Sequence, residues 1–118
     1  MDWRGYYINL DRATARREVM EQRFESLGLS RRYERFPAID GRSLPPAPPL
    51  TAGEAGIYMS HMELLRIASE SQGLTHIVED DTLISRGCAP FIAALARKGW
   101  SSGFDVLVTD TGFSASLR

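Results

Sequence analysis

Leu74-Thr75-His76-Ile77-Val78-Glu79-Asp80-Asp81 is the stretch on which the fold turns. A short apolar run from Leu74 to Val78, entered from Gly73, has the length and residue types of a buried strand. It runs without a break into three carboxylates. Working back towards the N-terminus, Thr51-Ala52-Gly53-Glu54 places Thr and Glu three residues apart ahead of a periodic apolar stretch, the pattern of a capping box. The helix it opens is expected to bury Ile57, His61, Leu64, Leu65 and Ala68 and to end before Gly73. Before it, Asp40 to Leu50 holds four prolines (Pro45, Pro46, Pro48 and Pro49), which exclude regular structure. Tyr33 to Ile39 reads as a strand ending near Pro37. A helix from the Asp11-Arg12-Ala13-Thr14 region to about Leu27, with Met20, Phe24 and Leu27 on one face, stops at Gly28. Gly5 to Leu10 reads as the first strand.

Towards the C-terminus, Pro90 suits the first turn of a helix whose Phe91, Ala94 and Leu95 face inward, with Gly99 past its end. Phe104 to Thr109 reads as a fourth strand. Strands and helices alternate, and no hairpin signal joins two strands. The expected class is therefore α/β, with a mostly parallel sheet and flanking helices. Ligands of such sheets bind beyond the carboxyl ends of the strands. Asn9-Leu10-Asp11-Arg12 and Glu79-Asp80-Asp81 both fall there.

Composition bounds the function. The 118 residues are one domain's worth, and 43% hydrophobic with 25% charged residues is ordinary for a folded globular chain. A net charge of −1 supplies no general attraction to nucleic acid or to an anionic membrane. Cys88 is the only cysteine, which excludes an intramolecular disulfide and fits a reducing compartment. No apolar run approaches a membrane span and no signal peptide opens the chain, so a cytoplasmic location is expected, the inner face of the membrane included.

Three adjacent carboxylates repel one another unless a positive group binds. In an extended strand Glu79 and Asp81 project to one side and Asp80 to the other. Two carboxylates on one side suit a hard divalent cation, Mg²⁺ or Mn²⁺, particularly when a substrate diphosphate completes its coordination. Capping of the next helix, or plain exposure to water, is the alternative use of the triplet. His61 reads as a core histidine and Ser60 as a plain helix serine. His76 reads as structural or exposed. Cys88, near a helix start, is placed where a thiolate is mildly favoured. Arg12, Arg16 and Arg17, at the start of the first helix, either grip phosphate or form a solvated face. No glycine-rich dinucleotide or P-loop pattern is present.

Taken in order, Tyr7-Ile8-Asn9-Leu10-Asp11-Arg12 with Arg16-Arg17, Arg35-Phe36-Pro37-Ala38-Ile39-Asp40-Gly41, Gly53-Glu54-Ala55-Gly56 with Ser60-His61, Ile77-Val78-Glu79-Asp80-Asp81 and Phe104-Asp105-Val106-Leu107 resemble glycosyltransferase family 25, the lipopolysaccharide and procollagen sugar-transferase group. The resemblance covers roughly residues 5 to 110. Ile57, where cysteine is frequent in the family, and Thr82, where an aliphatic residue is usual, depart from it mildly. It implies a GT-A-like, Rossmann-like nucleotide-diphosphosugar fold, and a metal-dependent transfer of a hexose from a UDP-sugar to a hydroxyl of a glycan or lipid-linked saccharide. By analogy Glu79-Asp80-Asp81 fills the role of a DxD element. Asp81, with Glu79, would hold Mn²⁺ or Mg²⁺, and Glu79 or Asp80 would reach the ribose or the donor sugar. Asn9, Asp11 and Arg12 would border the nucleotide, and Ser60 and His61 would line or support the donor pocket.

The family's catalytic domains are about twice this length. The chain, 1–118, is therefore expected to be one short or truncated domain carrying the donor half of the site, with the acceptor half absent and no turnover alone. Asp105 and Asp110 are the later carboxylates, and neither is assigned as the general base. A non-catalytic remnant of the same fold, kept as a binding or regulatory module, is the rival reading. A receiver-type phosphoacceptor domain fits less well, because Asp11 stands alone after the first strand and Lys98 falls in a helix. A homodimer covering an open sheet edge is a further expectation.

Overall fold

The computed structural model describes residues 2–98 and 105–107. Its order is β1 (Trp3–Asn9), α1 (Thr14–Ser26), β2 (Tyr33–Pro37), a 3-10 turn (Gly41–Ser43), α2 (Ala52–Ser69), β3 (Leu74–Glu79) and α3 (Cys88–Lys98). The three strands form one parallel sheet with β1 in the centre, in the order β2-β1-β3. Gly5 to Asn9 pair with Tyr33 to Pro37, and Trp3 to Ile8 pair with Leu74 to Glu79. The α/β class and the parallel sheet with flanking helices are those expected from the alternation of elements. Among the described residues, Asp105, Val106 and Leu107 are not in a strand; the rest of the expected fourth strand, and Gly99, lie outside the described residues.

Alternation along β1 builds a core on each face of the sheet. On one face Trp3 and Tyr7 pack with Met20 and Phe24 of α1, Tyr33, Val78, Ile84 and Ile92 of α3. The Phe24 and Tyr33 rings stack with centroids 4.3 Å apart. On the other face Tyr6 and Ile8 pack with Leu64 of α2, joined by Phe36, Ile67 and Ile77. Helices thus cover both faces, the arrangement that a buried parallel sheet requires.

Local signals set the helix ends. Gly28 takes φ +71° just beyond α1, the left-handed conformation that ends a helix with least strain in glycine. The capping box of α2 forms as expected: the Thr51 side chain accepts from the Glu54 amide, and the Glu54 carboxylate accepts from the Thr51 amide.

Two helix faces differ from expectation. The buried face of α2 is Gly56, Ser60 and Leu64, whereas Ile57 and Leu65 are 49% and 43% exposed. The helix is rotated by about one residue, roughly 100°, from the face that hydrophobicity alone selects. Close packing is the cause: a Cβ on Gly56 would stand 2.5 Å from the Ile39 carbonyl oxygen and 2.8 Å from the Gly41 amide nitrogen. Only small residues let α2 approach the segment after β2 so closely. In α3 the buried residues are Ile92, Leu95 and Ala96, and Phe91, expected inside, is exposed.

Candidate functional site

Asn9 closes β1 and is 1% exposed. Its side-chain amide bonds in four directions. Nδ2 donates to the Ala13 carbonyl (3.1 Å) and to Asp80 Oδ2 (2.7 Å), and Oδ1 accepts from Arg17 Nε (3.1 Å) and Arg35 Nε (2.9 Å). One residue thereby ties together the start of α1, β2 and the end of β3. Both donors and both lone pairs of the amide are thus engaged within the chain.

Around Asn9 lies a network of guanidinium and carboxylate groups. Arg35 also donates to the Asn9 carbonyl (3.0 Å) and to Asp11 Oδ1 (2.7 Å). Arg12 pairs with Asp40, and Arg16 Nη1 lies 3.5 Å from Asp80 Oδ1. Hydrogen bonds from Arg42, with help from Arg12, hold the Asp40 carboxyl well below its usual range. Arg12, Arg16 and Arg17 are thus engaged with groups of the chain itself. Arg35 is among the residues that carry the family resemblance but is given no role at the site from sequence; its further signal is an arginine at the centre of a strand, between Glu34 and Phe36.

The three carboxylates separate at the end of β3. The Asp80 amide donates to the Ile8 carbonyl (3.1 Å), continuing the ladder one residue past the strand. The Asp80 side chain turns to Asn9 and Arg16. Glu79 and Asp81 instead line a cavity of about 850 Å³ that runs along β3 past His76, with His61 of α2 and Phe91 of α3 in its walls. His61 Nε2 is 3.9 Å from Glu79 Oε1. Asp81 makes no hydrogen bond or ion pair with a described residue. His61 is therefore a half-exposed wall residue of this cavity, not the enclosed core histidine expected from its neighbours.

Ser60 is the enclosed residue of that pair. It is 0% exposed, and its Oγ accepts from the Ile39 amide (2.9 Å) and donates to the Gly56 carbonyl (2.7 Å). It fastens α2 to the segment after β2 and does not line the cavity. The candidate residues thus fall into two groups at the carboxyl ends of β1 and β3. Glu79, Asp81 and His61 face the cavity. Asn9, Asp11, Arg12 and Asp80 form the polar network beside it.

Among the described residues no group of three or more His, Cys, Asp or Glu side chains is spaced to hold a metal ion. Glu79 and Asp81 line the same cavity and carry oxygen donors of the type Mg²⁺ and Mn²⁺ prefer. Cys88, which also lines the cavity, is not poised as a thiolate, because burial pushes its pKa up. His76 is half-buried, its desolvation lowers its pKa, and its Nδ1 is 2.6 Å from the Tyr33 hydroxyl. Among the described residues no helix is long and apolar enough to cross a membrane.

Residues 4–104 match the model of glycosyltransferase family 25 (LPS biosynthesis protein). Two mosquito proteins named glycosyltransferase 25 family member are similar to the chain. The one from Anopheles gambiae is 33% identical and the one from Aedes aegypti 32%, each alignment covering 64% of this chain and 16% of the relative. A protein of Acanthamoeba polyphaga mimivirus, whose name provisionally assigns it as a glycosyltransferase, is 34% identical over 64% of this chain and 27% of its own length. The chain therefore spans about a quarter or less of the length of these relatives. The family match takes in β1, the Asn9 network, the Ser60 fastening and the acidic turn after β3 alike, and the chain belongs to glycosyltransferase family 25.

Proposed function

We propose that this domain carries the donor half of a glycosyltransferase site, binding a UDP-sugar with Mg²⁺ or Mn²⁺ at the carboxyl end of β3. The observation that carries this reading is the division of the acidic triplet. Asp80 is tied back to Asn9, while Glu79 and Asp81 face one cavity. Asp81, with Glu79, would hold the metal, whose role when bound is to offset the charge that develops on the diphosphate as UDP leaves.

The chain's own residues supply position. Asn9 and Arg16 hold Asp80, so the turn after β3 keeps the two outer carboxylates on the cavity side. His61 and Phe91 form walls that limit water at the donor. The exposed Asp11 and the rim residue Arg12 border the same strand ends. In the transfer, an acceptor hydroxyl of a glycan or lipid-linked saccharide attacks the anomeric carbon. The bond from that carbon to the UDP oxygen breaks, and the hydroxyl proton passes to a base that we do not assign to this chain. Transfer to lipopolysaccharide or another cell-surface glycan belongs to the same proposal, as does the reading of 1–118 as a single donor-side domain.

Calorimetric titration of UDP in the presence of Mn²⁺ tests it. Asp81→Asn, which keeps the shape and removes the charge, is expected to weaken binding about tenfold or more. Tight binding by that variant in EDTA would remove the metal from the account.

A further inference from the structure

A second cavity, of about 530 Å³, lies at the opposite end of the sheet. Trp3, the first residue of β1, is in its wall, whereas Asn9 is the last, so six strand steps of roughly 3.3 Å put the two ends about 20 Å apart. Arg31 and Arg32, from the loop entering β2, and Arg86, from the loop entering α3, all line it, and no acidic residue does among the described residues. Its apolar lining includes Leu27, Leu29 and Ala93.

Both loops are fastened. Arg32 Nη1 donates to the Trp3 carbonyl (2.7 Å) and to Asp2 Oδ1 (3.0 Å), and its guanidinium lies 4.7 Å from the centroid of the Trp3 ring. Arg23 of α1 donates twice to the Ile84 carbonyl (3.1 and 3.0 Å), holding the segment that carries Arg86. Arg31 and Arg86 have no hydrogen-bonding or acidic partner among the described residues. Arg32 is paired with Asp2, while the exposed Arg31 and Arg86 are held at one cavity by the two fastened loops and give it a positive surface that an anion would complement. Guanidinium forks match the oxygens of phosphate or carboxylate, and the apolar lining adds a surface that inorganic phosphate would leave uncovered.

We propose that this cavity is a second ligand site, for a phosphate carried on an apolar group. It is separate from the cavity at Glu79 and Asp81 and does not depend on the donor reading. The source is either a soluble alkyl or aryl phosphate or the headgroup of an anionic lipid.

Calorimetry with hexyl phosphate and with inorganic phosphate tests the site, and co-sedimentation with phosphatidylcholine vesicles containing phosphatidic acid tests the lipid source. Hexyl phosphate is expected to bind about tenfold more tightly than inorganic phosphate, and the double variant Arg31→Ser/Arg86→Ser to lose about tenfold in affinity. Ala93→Phe, which fills the apolar lining without changing charge, should remove the preference for the hexyl group. Vesicle binding that disappears in the arginine double variant identifies the lipid source, and hexyl phosphate binding without it identifies a soluble one. Equal affinity for the two phosphates, or an equal loss in the charge-matched control Arg42→Ser/Arg66→Ser, would reduce the effect to general electrostatics and overturn the proposal. Circular dichroism on each variant separates loss of binding from loss of fold.

Discussion

Asn9 joins the start of α1, β2 and the end of β3 through four hydrogen bonds of its enclosed side-chain amide. Replacing it by Ala removes the acceptor of two guanidinium groups and the donor to a carboxylate that is itself largely enclosed. Buried polar groups left without partners cost about 1–3 kcal/mol, more when charged, so Asn9→Ala should lose about 3 kcal/mol in urea unfolding. Asn9→Asp would set a second carboxylate against Asp80, and adding Asp80→Asn should recover most of the loss by restoring an amide–carboxylate pair. If the double variant is as unstable as Asn9→Asp alone, the pairing is not what Asn9 contributes. The sequence places Asn9 at a strand end and no further. Four partners drawn from α1, β2 and β3 exist only once three strands are in register. The division of Glu79, Asp80 and Asp81 between two sides, in contrast, was legible, because it follows from the two-residue period of extended chain.

At the scale of elements, α2 separates what hydrophobicity predicts from what packing selects. Leu64 is fully enclosed against Tyr6 and Ile8, and its neighbour Leu65 is not. Leu64→Ala should cost about 2–5 kcal/mol and Leu65→Ala under about 1 kcal/mol. Equal losses would mean that α2 sits in the rotation its apolar residues alone would choose. Apolar periodicity located the helix and its capping box, but not its buried face. That face is set by how closely two backbones approach, which small residues such as Gly56 and Ser60 permit without any hydrophobic signature. The same limit applies to α3, where Phe91 ranks high in hydrophobicity and yet forms a cavity wall. The strands were more legible because a parallel sheet covered on both faces needs short, nearly continuous apolar runs, and Tyr6-Tyr7-Ile8 and Ile77-Val78 are such runs.

For the whole molecule, stability should depend on pH through His76. Burial lowers its folded pKa below the ordinary value of 6.5. The unfolded chain then takes up the proton first, so stability falls as the pH drops through 6.5 towards the folded pKa and levels off beneath it. Asp40 acts in a separate window. Its carboxyl is held down by Arg42 and Arg12, so its contribution, present above the ordinary 3.8, is lost only as the pH falls further. Thermal melts between pH 7 and pH 5 should show the first decline, and His76→Gln should flatten it. A His76→Gln curve parallel to the wild type would assign the decline to other groups.

The most direct test of the central claim is calorimetric titration of UDP into the folded chain, first with Mn²⁺ and then with EDTA. The account predicts binding at about micromolar strength that needs the metal and is lost in Asp81→Asn. Binding that is indifferent to EDTA, or absent under both conditions from a chain shown to be folded, would contradict it and leave the shared fold without donor chemistry at Glu79 and Asp81.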